Sequence, residues 1–130
     1  MPSALWKRLR AFSLALPEAH EEFPWGDRVA KVNKKIFVFL GEGDAPDAVL
    51  GVKLVESHPA ALAVPGARPM GYNLGKAGWV VVPLQRTGPP PAILEDWIVE
   101  SYRLVAPARL AARLDAGTST KKPRIRLGGA

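Results

Sequence analysis

Apolar residues recur at helical spacing near both ends of the chain and alternate with polar ones in between. Leu5, Leu9, Phe12 and Leu16 fall on one face of a 3.6-residue period, which predicts a core-facing amphipathic helix. Ser3 is its expected N-cap and Pro17 its stop. Glu18 to Glu22 reads as an acidic connection, followed by the rigid aromatic turn Phe23-Pro24-Trp25-Gly26. Arg28 to Val32 and Lys35 to Leu40 read as two strands. Asn33-Lys34 joins them as a two-residue turn, because Asn accepts the positive φ such turns need. Lys34 is a less favoured second turn residue, so a turn of three or four residues is the alternative.

Gly41 to Asp47 is dense in turn formers and reads as a loop, and Val49 to Val55 as a third strand. Ser57 is placed to cap a short helix over Pro59 to Val64, with Pro59 in its first turn. Pro65 to Lys76 is a long connection, and Trp79 to Leu84 a fourth strand. Pro89-Pro90-Pro91 opens a helix running through Val105, with Ile93, Leu94, Trp97, Ile98, Ser101, Leu104 and Val105 on its apolar face. Pro107 to Leu114 reads as one or two further helical turns, and Gly117 onwards has no core-forming pattern.

Strands flanked by a helix at each end of the chain predict an α+β two-layer sandwich, with a mostly antiparallel sheet and the N- and C-terminal helices on one face. Ile36, Val38, Leu40, Leu50, Val52, Leu54, Val80, Val82 and Leu84 are assigned to the helix-covered side. Phe37, Phe39, Gly51, Lys53, Trp79 and Val81 then point to the other side. That face is part apolar and part basic, and it is where a site is expected. Residues 1–116 form the domain and 117–130 a basic tail.

Composition narrows the class. A chain of 130 residues makes one domain and needs no covalent staple. The absence of cysteine excludes disulfides, thiol catalysis and cysteine-ligated zinc. The apolar run Ala11 to Leu16 is short for a signal core, and no run is long enough for a membrane span. The expected location is the cytoplasm. The net charge is +6, and Lys121, Lys122, Arg124 and Arg126 supply four of the positive charges with no acid after Asp115. Without them the rest of the chain carries only +2.

Phe23-Pro24-Trp25-Gly26, Lys31-Val32 with Lys35-Ile36-Phe37, Val52-Lys53-Leu54, Pro65-Gly66 with Pro69, Gly75 to Trp79, and Ser101 to Val105 resemble, in order, the pattern of the MmcQ/YjbR-like family. These are small bacterial proteins with a fold like that of the bacterial frataxin, CyaY. The resemblance covers the chain from the first helix to Val105 and implies a CyaY-like fold. It also implies the family's description as DNA-binding proteins with a double-wing motif. It brings no catalytic residues and does not reach the tail. A frataxin-like fold suggests iron on an acidic first helix, whereas this helix carries Lys7, Arg8 and Arg10 and no acid.

Lysines and arginines on a β-ribbon contact phosphates without reading sequence, and Arg28, Lys31, Lys34 and Lys35 are so placed. Alternatively they keep an exposed strand soluble. Lys31 and Lys53 beside Phe37 and Trp79 suit base stacking or a small anion, or else lie across a second small core. Lys76, Arg68 and Tyr72 rim a pocket over the open face, or belong to a packed loop. The tail cations track a phosphate backbone or are simply solvated. Ile125 and Leu127 could also dock the tail on a second copy of the chain, making a homodimer.

No cofactor or metal is implied. Gly71 to Ala77 lacks the glycine spacing of a phosphate loop, and Ala77 stands where Ser or Thr would hold magnesium. The clusters Glu18, His20, Glu21, Glu22 and Glu42, Asp44, Asp47 have no recognisable ligand spacing. No triad or carboxylate pair suggests catalysis. The expectation is a non-enzymatic DNA-binding protein using the basic hairpin and open sheet face. The alternative is a module that binds a small anionic ligand or a protein partner on that face.

Overall fold

The computed structural model describes residues 4–24, 28–41, 48–71, 74–84 and 88–118. Among the described residues the elements run α1 (Ala4–Leu14), β1 (His20–Glu22), β2 (Val29–Val32), β3 (Lys35–Phe39), β4 (Val49–Lys53), α2 (His58–Leu62), β5 (Arg68–Pro69), a 3₁₀ turn (Leu74–Ala77), β6 (Trp79–Pro83), α3 (Pro91–Val105) and α4 (Ala108–Thr118). The six strands form one sheet in the order β1-β2-β3-β4-β6-β5, every pair antiparallel. The fold is α+β, with helices from both ends of the chain on one face of the sheet.

That face holds the core. Trp6 and Leu9 of α1 and Leu94, Trp97, Ile98 and Tyr102 of α3 pack against Ala30, Val32, Val38, Leu40, Leu50, Val52, Val80 and Val82. The Trp6 indole N–H donates to the Leu40 carbonyl at 2.7 Å, which fixes α1 on the sheet. Leu110 and Leu114 bury one side of α4 in the same core. This α4 is a full helix of eleven residues, longer than the one or two turns expected. Pro91 starts α3 in its first turn, where its missing N–H is harmless.

The β2–β3 hairpin closes through a two-residue turn in which Asn33 and Lys34 take φ of 52° and 69°. Two positive φ values match the twist of the flanking strands, so Lys34 adopts the conformation despite its side chain.

Other expectations about the elements also need correction. His20–Glu22 is strand β1 rather than a connection; its register pairs His20 with Lys31 and Glu22 with Val29. The Pro65 to Lys76 connection contains β5 and most of the 3₁₀ turn. On α3 the buried face is Leu94, Trp97, Ile98, Ser101 and Tyr102, while Ile93 and Leu104 are exposed. Ser57 stands at the start of α2 but makes no side-chain capping bond; its backbone N–H is taken by the Glu100 carboxylate instead. The Ser3 cap, the Trp25-Gly26 part of the aromatic turn, the loop from Glu42 to Asp47, Tyr72, and the tail from Ser119 onwards lie outside the described residues, while Gly117 and Thr118 belong to α4.

Candidate functional site

The open face of the sheet is set by a bulge. Ala30 pairs with Val38 but Lys31 pairs with Ile36, so Phe37 has no partner on β2. An extra residue in one strand reverses the side to which the preceding positions point. Phe37 is therefore fully buried against the helices, edge-on to Tyr102 with ring centroids 5.2 Å apart. Ile36 turns to the open face beside Lys31. The expected placement of these two residues is thus reversed.

Phe39 lies on the open face as its alternation predicts and meets Trp79 edge-on, ring centroids 5.2 Å apart. The Met70 methyl group reaches the neighbouring Gly51: a Cβ added there would come within 2.5 Å of it and 3.0 Å of the Phe39 Cβ. Trp79 and Val81 are buried. The centre of the open face is therefore a second small core, and Trp79 offers no ring for stacking.

The predicted cations divide into two groups. Arg28 lies over Trp6 at 5.3 Å and over Phe23 at 4.7 Å, and its guanidinium reaches Glu21 at 3.1 Å. Its Nε is buried with no hydrogen-bond partner. Glu21 also takes a two-pronged bond from Arg10 at 2.7 and 2.9 Å. These guanidinium bonds, that of Arg10 first, hold the Glu21 carboxyl below its ordinary range. Lys31 pairs with Glu22 at 3.2 Å, and His20 bonds the same carboxylate at 2.7 Å. Arg28 and Lys31 thus fasten β1 to its neighbours. Lys31 is separated from Lys53 by β3, and its partner in the register is Ile36 rather than Trp79.

Lys34, Lys35, Lys53 and Lys76 make no ion pair among the described residues. The register brings them to one end of the sheet. Lys34 and Lys35 form the tip of the β2–β3 hairpin, and Lys53 ends β4 directly opposite Trp79, the first residue of β6. Lys76 lies in the 3₁₀ turn that precedes β6. Strands spaced by about 4.8 Å place this basic end across roughly 15 Å from β2 to β6. An open depression of about 360 Å³ adjoins it, lined by Leu54, Val55, His58, Pro59, Lys76 and the adjacent backbone. Val55 is well exposed there.

Two features of this end escaped the sequence pattern. Glu100 of α3 accepts the backbone N–H groups of Val55 at 2.7 Å and Ser57 at 3.2 Å, which shapes the turn between β4 and α2. Arg109 and Arg113 of α4 reach Glu18, just before β1. No local signal marks either contact, since the partners lie tens of residues apart in sequence. Lys121, Lys122, Arg124 and Arg126 lie outside the described residues. Among the described residues no cluster of three potential metal ligands occurs, and no helix is long and apolar enough to cross a membrane.

A two-layer α+β body with a basic sheet end is the class that fold and surface define. The sequence model of the YjbR family matches residues 14–104, and the chain belongs to that family. No curated protein matches it.

Proposed function

We propose that this protein is a non-enzymatic DNA-binding module, and that the basic end of its sheet contacts the phosphate backbone. One observation carries the reading. The carboxylates near the hairpin engage Arg10, Arg28, Lys31, Arg109 and Arg113, whereas Lys34, Lys35, Lys53 and Lys76 have no such partner among the described residues. Solvated cations at one rim attract a polyanion and release its counterions on contact. The family's description as DNA-binding points the same way. Four contacts of this kind give a log–log salt slope of about −3.6. Fluorescence anisotropy with a labelled duplex at low and physiological salt tests the reading, and no binding at low salt would sink it. Changing all four lysines to glutamine should remove most of the slope.

A second reading is favoured by the depression beside Lys76 and His58. A small anion could sit there between the lysine and the imidazole, with Val55 and Pro59 against its apolar part. Protection of Lys76 from amine modification by a small phosphorylated compound, with no effect of duplex DNA, would support it over the first.

A further inference from the structure

Arg109 and Arg113 stand one turn apart on α4 and converge on a single carboxylate. Arg109 Nη1 lies 3.1 Å and Nη2 3.5 Å from the Glu18 oxygens, and Arg113 Nη1 lies at 3.5 Å. Leu110 and Leu114 bury the other side of the helix, so the pair faces outward. Glu18 sits two residues before His20, the register partner of Lys31, and the hairpin turn begins two residues after Lys31. The carboxylate that the arginine pair holds therefore stands just before the end of β1 nearest the hairpin turn, the turn that carries Lys34.

The Glu18 contact has the marks of an exchangeable one. The arginine side chains are 65% and 60% exposed and that of Glu18 49%, so the ion pairs are screened by water and hold the fold weakly. Two arginines four residues apart on a helix repel, and one anion between them relieves this. Glu18 provides that anion from a φ of 58°, a region sparse for residues other than glycine. A phosphate presents the same paired acceptors to a guanidinium fork. Beyond Thr118 the chain reaches Lys121 and Lys122 within a few residues.

We propose that Arg109 and Arg113 form a phosphate-binding pair, and that Glu18 is the internal carboxylate which a nucleic-acid phosphate displaces. The inference rests on the DNA-binding reading above and extends its surface from the sheet end onto α4. The neutral variant Glu18→Gln then binds a short duplex more tightly than the wild type, by severalfold at low salt. The double variant Arg109→Gln/Arg113→Gln binds more weakly, with a salt slope shallower by about 1.8. Circular dichroism and a thermal melt of each variant confirm that it is folded. Anisotropy on these proteins, with Lys34→Gln/Lys35→Gln alongside, separates the outcomes. If the lysine variant weakens binding while Glu18→Gln and the arginine variant bind like the wild type, the inference is overturned and the broader reading stands. If the wild type does not bind duplex at all, both fall.

Discussion

Ser101 of α3 is hydrogen-bonded to Phe37 of β3, its hydroxyl donating to the Phe37 carbonyl at 2.5 Å. The same oxygen accepts the Lys53 N–H at 2.9 Å. Phe37 and Lys53 would stand opposite each other if the β3–β4 register of Val38 with Val52 continued by one residue. The serine hydroxyl thus bridges two backbone groups where the ladder opens, which accounts for a fully buried serine in an apolar helix face. Ser101→Ala strands a carbonyl and an N–H together. The expected loss is about 3 kcal/mol, read as a lower urea midpoint with an unchanged slope.

Gly78 is the hinge between the 3₁₀ turn and β6. Its φ is 103°, its carbonyl accepts the Leu54 N–H at 2.9 Å, and a Cβ there would meet the Leu54 carbonyl oxygen at 2.5 Å. Backbone cannot swing aside as a side-chain tip can. Gly78→Ala should destabilise by about 2 kcal/mol in the same titration. It should also alter Trp79 emission, because Trp79 follows directly in the chain.

The place of Arg28 beside the hairpin suggests a phosphate contact, yet its guanidinium is engaged by Trp6, Phe23 and Glu21. Arg28→Lys keeps the charge and loses the planar stacking. It should cost about 1 kcal/mol of stability and leave duplex affinity unchanged. A fall in affinity matching that of Lys34→Gln, with stability intact, would return Arg28 to the interface.

Acid should loosen β1 first. Glu21 is held below its ordinary range by Arg10 and Arg28, and Glu22 by His20 and Lys31. A carboxyl whose pKa is depressed on folding stabilises the fold fully above its unfolded value, about 4.3, and that contribution is lost as pH falls through the folded value. Thermal melts should therefore be flat for these groups near neutrality and decline below about pH 4 to 5. Glu21→Gln should melt lower at neutral pH and show a smaller acid decline than the wild type.

Much of the fold is legible because local signals agree with the tertiary outcome. Leu9 and Leu16 reach the core as their spacing predicts, Asn33 marks the hairpin turn, and Pro91 marks the start of α3. The misread positions are those decided by partners distant in sequence. His20-Glu21-Glu22 has poor strand propensity, and becomes a strand because Arg10, Arg28 and Lys31 neutralise it. Phe37 and Ile36 exchange faces through a bulge, a one-residue shift that alternation cannot reveal. The hairpin cations look alike in sequence, and only the positions of Glu21 and Glu22 separate Arg28 and Lys31 from Lys34 and Lys35.

Both margins of the sheet are short: three residues in β1, all polar or charged, and two in β5, one of them proline. Short, charged or proline-bearing margins deter another chain from continuing the ladder. The protein is therefore guarded against strand-by-strand self-association. Neither margin offers a main-chain template long enough for a further strand to copy.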